Sequence, residues 1–285
     1  MRVTVLGSGT SHGIPSVGCA CAVCASPDPR DRRSRCALVI QWQGRTLLVD
    51  TPPELRQQVI RSQVRRVDAL LFTHSHADHI FGLDDVRRFN EMQSGELPVF
   101  AGETTLRDLE RSFRYVFVPT QLGGGKPRLA LTPITGDRLE WDGISVEAIP
   151  VFHGELEILA FRCGPFAYVT DASRIPPESL ERLRGLDTLI LGALRWEPHP
   201  THFTIDQALE VVSELAPRRT FFTHLSHTVP HAETERRLPS GVRLAYDGLI
   251  LDLPDDFSEA GTKRTAEAQR TQRGMEREGG RERHE

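Results

Sequence analysis

Lysine is nearly missing from this chain of 285 residues: of its 35 basic residues only Lys126 and Lys263 are lysines, and the rest are arginines. Against 39 acidic residues the formal net charge is -4, so the chain lacks the basic excess that draws proteins to nucleic acid regardless of sequence. Nucleic acid is therefore an unlikely partner, and the arginine bias reads as genomic or thermal adaptation. Nor is there any run approaching the roughly 18 apolar residues of a membrane span. Met1-Arg2-Val3-Thr4-Val5-Leu6 leads into a strand and not a cleavable signal. No membrane partner and a cytoplasmic location are the expectations. Cysteine is scarce: five residues, an odd count, do not make a disulfide framework. What remains, 39% hydrophobic and 26% charged residues, is the balance of a globular protein large enough to bury a core unaided.

Strand patterns fall at residues 3–6, 37–42, 46–50, 69–72, 99–101, 146–151, 158–162, 167–170, 188–191 and 220–223. Amphipathic helical patterns cover 53–64, 83–92, 104–114, 177–184, 204–215 and 231–238, with Pro177 and Thr204 as start signals. Strand pairs dominate early and strands alternate with helices later, which predicts an α/β fold of two sheets enclosed by helices. Residues 121–127, including Gly123 to Gly125, have no periodicity and predict a mobile connection. From 258 to 285 arginine and glutamate alternate with almost no large apolar residue, so one domain over 1–257 is expected before a disordered tail.

The strongest chemical signal is Thr73-His74-Ser75-His76-Ala77-Asp78-His79, directly after the apolar run Ala69-Leu70-Leu71-Phe72. Imidazoles and a carboxylate leaving one strand end can converge on metal, and neutral imidazole suits zinc while carboxylate suits zinc or manganese. The i,i+2 spacing puts His74 and His76 on one side, and leaves Asp78 and His79 to turn toward a second ion.

This segment resembles the signature of the metallo-β-lactamase superfamily, which implies an αβ/βα four-layer sandwich with the site where the sheets meet. The resemblance covers about residues 1–252. It asks for a later His, an Asp and a final His, each just beyond a strand, and the sequence supplies His153, Asp171 and His224. It implies His74, His76 and His153 on one metal, Asp78, His79 and His224 on the other, and Asp171 bridging both. Asp50 matches an acid that supports such sites from behind the ligands. With His76 in place of a glutamate, the pattern looks hydrolytic and implies two zinc or manganese ions. Such a pair lowers the pKa of a shared water, so a metal-activated hydroxide is the expected nucleophile. His202, 22 residues before His224, matches the catalytic His of phosphodiesterase members and is preferred over His199 as the acid for the departing oxygen. His202 and Asp78 form the catalytic set, Asp78 being a ligand as well.

Cys19, Cys21 and Cys24 have C-x-C-x2-C spacing, and His227 is placed to complete a structural zinc site. Cys36 and Cys163 read as core. The opening Gly7-Ser8-Gly9-Thr10-Ser11-His12-Gly13 lacks the Walker lysine and predicts a tight turn beside the metals, with Thr10, Ser11 and His12 toward the pocket. Together with the cysteines and the metal motif, it is similar to the PhnP-type phosphodiesterases. That resemblance implies a small cyclic phosphodiester such as 5-phosphoribosyl 1,2-cyclic phosphate as substrate, and it allows a homodimer. Three alternatives stay open: a tRNA 3′-end endonuclease, an ester or lactone hydrolase of the same fold, and a non-catalytic binding or carrier protein. His12, His231 and His284 receive no role.

Overall fold

The computed structural model describes residues 1–119 and 125–254. The glycine-rich connection at 120–124, the tail at 258–285 and His284 lie outside the described residues.

Two seven-stranded mixed sheets face each other. The first runs in the order β14 (Ile250–Asp252), β1 (Arg2–Gly7), β2 (Ala37–Trp42), β3 (Arg45–Val49), β4 (Ala69–Leu71), β5 (Leu97–Ala101), β6 (Leu129–Pro133). The second runs β13 (Val242–Leu244), β12 (Arg219–Thr223), β11 (Thr188–Gly192), β10 (Phe166–Val169), β9 (Leu156–Cys163), β8 (Ile144–His153), β7 (Arg138–Trp141). This is the four-layer αβ/βα sandwich that the sequence resemblance implied.

Period-two side-chain alternation assigns each strand residue to one of two cores. Val3, Val5, Leu38, Ile40, Leu47 and Val49 meet Val146, Phe161, Phe166, Tyr168 and Ile190 between the sheets. Their neighbours Leu6, Val39, Leu48 and Leu70 face outward, under Leu55 of α1 (Leu55–Arg61), Phe89 of α3 (Arg87–Gln93), Leu106 and Leu109 of α4 (Glu103–Ser112) and Val116 of α5 (Arg114–Phe117). On the second sheet Val151, Val169, Leu189 and Leu191 pack under α6 (Pro177–Arg182) and α7 (Ile205–Leu215). Because both faces are covered, the central strands read as unbroken apolar runs. That is why the sequence located them within a residue or two.

The helices begin and end differently from the expectation at a few places. Pro52 and Pro53 keep 53–54 out of α1, which starts at Leu55. The 83–92 segment divides into a 3-10 turn at Leu83–Val86 and then α3. Thr204 caps α7, accepting from the Gln207 N–H at 3.1 Å while the Gln207 side chain accepts from the Thr204 N–H at 2.9 Å; this reciprocal box sets the helix start.

Strands β1, β3, β4, β8, β10, β11 and β12 release the chain toward the candidate site from their C-terminal ends. The loop after β1 is tied to the loop between β12 and α8 (His231–Arg237) by Arg33, whose side chain is fully buried. Its guanidinium donates to the carbonyls of Ser226 at 3.1 Å and Val229 at 2.8 Å, and to Asp31 at 3.2 Å. Asp31 in turn accepts from the His231 N–H at 2.8 Å. Burial pushes Arg33 down to about 10, so it remains charged at neutral pH. Removing it strands a buried carboxylate and two carbonyls. Arg33→Ala should cost about 3 kcal/mol, read as a lowered urea midpoint; a loss near zero would show that water replaces the guanidinium.

Candidate metal centre

The segment after β4 turns at once into a short helix, α2 (Ala77–Ile80), which sequence analysis did not separate from the motif. His76 precedes it and stays exposed, while Asp78 and His79 ride on it toward the sheet seam. The ligand atoms of His74, His76 and His153 lie within 4.8 Å of one another, and so do those of Asp78, His79, Asp171 and His224. The structure thus brings together the two groups in the partition the resemblance implied, with Asp171 also close to His153 and His202. His79 Nε2 is 3.3 Å from both Asp78 and Asp171, and His224 Nε2 is 3.2 Å from Asp171.

Asp50 organises this cluster from the end of β3. Its carboxylate accepts the Thr73 N–H at 2.9 Å, the Thr73 hydroxyl at 2.9 Å and His79 Nδ1 at 2.8 Å. Since the Thr73 proton goes to Asp50, Thr73 Oγ1 accepts from His74 Nδ1 at 3.0 Å. One carboxylate therefore places the ring protons of both histidines on Nδ1. On the far side of the site, the Thr201 carbonyl accepts from His153 Nδ1 at 2.7 Å and does the same for that ring.

Among the described residues, the arrangement leaves His74 Nε2 and His79 Nε2 buried with no hydrogen-bond partner, the latter facing two carboxylates at 3.3 Å. Burial first, and His79 next, push His74 well below the ordinary imidazole value. Burial also pulls His79 down, yet Asp171 and Asp50 outweigh it and hold that ring well above its usual value. A pocket that draws a proton onto a buried imidazole is one whose field draws cations. Orphaned ring nitrogens, imidazole and carboxylate donors, and fixed tautomers fit divalent metal ions.

Three of these residues sit in the left-handed backbone region immediately beyond strands: Asp50 at φ 61°, Asp171 at 58° and His224 at 58°. Gly192, at the end of β11, was missed by sequence analysis. A Cβ there would lie 2.9 Å from the Asp171 backbone nitrogen, so only glycine lets β11 end beside that residue. Thr10 reaches His224 Nε2 at 3.1 Å as expected of the opening turn, whereas Ser11 and His12 are exposed on the surface.

His202 lies in the loop between β11 and α7, with Nδ1 3.8 Å from Asp171. Its ring centroid is 4.5 Å from that of His153 and 4.8 Å from that of His224. Burial, then His224, push it down to about 3, with Asp171 opposing. His231 is buried under Tyr246 and away from these rings.

The second cluster is also assembled. His227 Nδ1 stands 3.2 Å from Cys19 Sγ, 3.5 Å from Cys21 Sγ and 3.8 Å from Cys24 Sγ. A tetrahedral zinc with Zn–S of about 2.3 Å and Zn–N of about 2.0 Å sets that edge at about 3.5 Å. The Cys24 N–H, foremost among several donors, lowers Cys21 to about 6, toward the thiolate a metal requires. Cys36 and Cys163 are fully buried, as expected of core residues, although Cys36 falls one residue before β2.

A family model described as a beta-lactamase superfamily domain matches residues 45–225. The chain belongs to the metallo-β-lactamase superfamily. Within it, a crystal structure of a new diphosphatase from the PhnP family superposes with a TM-score of 0.83 at 45% identity, over 89% of this chain and 98% of that one. A coenzyme PQQ synthesis protein B of Methylobacterium nodulans is 33% identical over 309 residues, 89% of this chain and 100% of that protein. An octanoyltransferase of Porphyromonas gingivalis is 37% identical over 253 residues, 87% of this chain. The match covers 51% of that protein, so this chain spans about half its length. Among the described residues, no helix of this superfamily member is long and apolar enough to cross a membrane.

If Asp50 sets both ring tautomers, Asp50→Ala should lower metal affinity at the histidine and aspartate cluster by about 10- to 100-fold and leave the cysteine site filled. Metal content after dialysis against graded chelator measures this, and unchanged retention would remove Asp50 from the role.

Proposed function

We propose that this chain is a dinuclear metal-dependent phosphodiesterase acting on a small, preferably cyclic, phosphodiester. The observation that carries the reading is the position of His202. It is an imidazole set against His153 and Asp171, yet the two clusters have their donors without it. A hydrolase that needed only a polarised carbonyl would have less use for it.

In this reading His74, His76 and His153 hold one zinc or manganese ion, Asp78, His79 and His224 hold the other, and Asp171 is shared. When bound, such a pair supplies a water nucleophile ionised near neutrality and neutralises charge on phosphate oxygens. Asp50 and the Thr201 carbonyl keep the rings aimed. Asp78 counts with the catalytic residues as a ligand of the second ion, its carboxylate 3.3 Å from His79 Nε2, where the two would meet on the same cation. His202 delivers a proton to the departing alkoxide; the incoming phosphate anion supplies the negative charge that lets the ring hold that proton. Cys19, Cys21, Cys24 and His227 hold a structural zinc.

A second reading is favoured by the PhnP-family diphosphatase at 45% identity: the same groups would serve a P–O–P linkage. The leaving phosphate is then already a stable anion, and His202 matters less. Octanoyl transfer is not carried over, because the match spans half of that relative. RNA processing has little support from a chain of net charge -4 with two lysines.

The test compares leaving groups. p-Nitrophenolate departs without a proton, whereas a sugar alkoxide does not. His202→Ala should cut turnover of 2′,3′-cyclic AMP by about 100-fold or more, cut bis(p-nitrophenyl) phosphate turnover far less, and leave metal content unchanged. Equal losses on both substrates would sink the acid role. Turnover of a nucleoside diphosphate but of neither diester would transfer support to the second reading. Metal binding with no hydrolysis at all would point to a carrier.

A further inference from the structure

His199 lies outside both clusters, yet it is held more firmly than a solvated histidine requires. Pro198 and Pro200 flank it; each fixes its own φ, and Pro200 also confines His199 to extended backbone. Arg195 clamps the same turn, donating from Nε to the Glu197 carbonyl at 3.2 Å and from Nη2 to the Pro198 carbonyl at 3.0 Å. The ring is oriented as well. Its Nδ1 accepts from the Thr201 N–H at 3.3 Å, with the Thr201 hydroxyl at the same distance. An accepting Nδ1 leaves the proton of the neutral ring on Nε2. Among the described residues that Nε2–H has no hydrogen-bond partner.

The ring centroid lies 4.9 Å from that of His202. His202 is flanked on its inner side by His153 and His224, and His199 pairs with neither. It therefore borders the outer flank of His202, half exposed at the rim.

We propose that His199 is a specificity-determining residue, donating a hydrogen bond from Nε2 to an oxygen acceptor on the leaving alcohol of the substrate. The proposal rests on the phosphodiesterase reading. His202 must face the departing oxygen to protonate it, so the remainder of the leaving alcohol extends past His202 toward the rim. Any hydroxyl or phosphate oxygen it carries meets a donor fixed beforehand, with little ordering left to do on binding.

The two nitrogens of the ring can be tested separately. In His199→Asn the amide oxygen can still accept from the Thr201 N–H, but the outward donor is lost. In His199→Gln the amide N–H reaches the Nε2 position, while the bond to Thr201 is lost. The metal-loaded protein is titrated calorimetrically with 3′-AMP and assayed on 2′,3′-cyclic AMP and bis(p-nitrophenyl) phosphate, whose leaving group carries neither hydroxyl nor phosphate. His199→Asn should weaken the 3′-AMP Kd and raise the cyclic nucleotide KM by about tenfold, the effect of one lost hydrogen bond, with kinetics on bis(p-nitrophenyl) phosphate unchanged. His199→Gln should stay close to the parent protein throughout. Loss in the Gln variant with retention in Asn would mean that His199 only holds the turn and would overturn the proposal. Indifference of both variants, or equal losses on both substrates, would do the same. A parent protein that neither binds nor cleaves the nucleotide overturns this proposal alone, whereas failure on both diesters overturns the phosphodiesterase reading too.

Discussion

A single buried carboxylate sets the terms for the whole site. Asp50 has no solvent exposure and accepts three hydrogen bonds, two from Thr73 and one from His79. Through them it holds the protons of His74 and His79 on Nδ1 and turns both Nε2 atoms into the seam, without hydrogen-bond partners among the described residues. Each orphaned polar atom costs on the order of 1–3 kcal/mol. The left-handed backbone at Asp50, Asp171 and His224 adds strain of on the order of 1–3 kcal/mol apiece, less for aspartate. The orphaned imidazole nitrogens of this array, at the junction of two well-packed cores, are donors that a divalent cation would satisfy.

The sheets explain how residues from so many parts of the chain reach one place. Strands β1, β3 and β4 in one sheet, and β8, β10, β11 and β12 in the other, end at the same seam. The parallel pairs β3–β4, β10–β11 and β11–β12 keep successive ends level. Asp50 and His74, and likewise Asp171, Gly192 and His224, are therefore neighbours despite long separations in sequence. Gly192 shows how close the fit is, since a methyl group there would collide with the Asp171 backbone. Loops carry the remaining groups, but the backbone carbonyl of Thr201 registers the His202 loop against His153.

What could be read from the sequence, and what could not, follows the same physics. The central strands were legible because both faces are buried, and the histidines and aspartates gathered at the seam because each follows such a strand. The four strands that escaped notice are β6, β7, β13 and β14, and these are the four edges of the two sheets. Edge strands have one neighbour, are short here and keep many residues exposed, as in Arg138–Trp141 and Ile250–Asp252. They are the strands on which burial places the weakest hydrophobic pattern. Gly192 and Arg33 escaped for another reason. A glycine needed for clearance and an arginine buried among carbonyls are defined by partners distant in sequence, and no local spacing marks them. His199 was visible and was set apart from His202 by its spacing, but the orientation that Thr201 gives its ring is not carried by a sequence.

The cysteine cluster and the histidine cluster share one short segment, and that sharing bears on how the strain at His224 persists. A residue held in the left-handed region stays there only when its surroundings over-determine it. Immediately beyond His224, the Leu225 N–H donates to the Ser8 carbonyl at 3.0 Å and its own carbonyl accepts from the Thr10 N–H at 3.1 Å. The Ser226 N–H donates to the Leu194 carbonyl at 2.9 Å, and the Ser226 carbonyl accepts from Arg33 at 3.1 Å. His227 then enters the three cysteines. Four hydrogen bonds at about 1 kcal/mol each exceed the backbone cost at one residue, and the cysteine cluster fixes the far end. Placing the cysteine cluster three residues from strained His224 is thus a mechanical arrangement: contacts of His227 with the cysteines hold one end of the segment, the opening glycine turn flanks it, and His224 has one orientation to adopt.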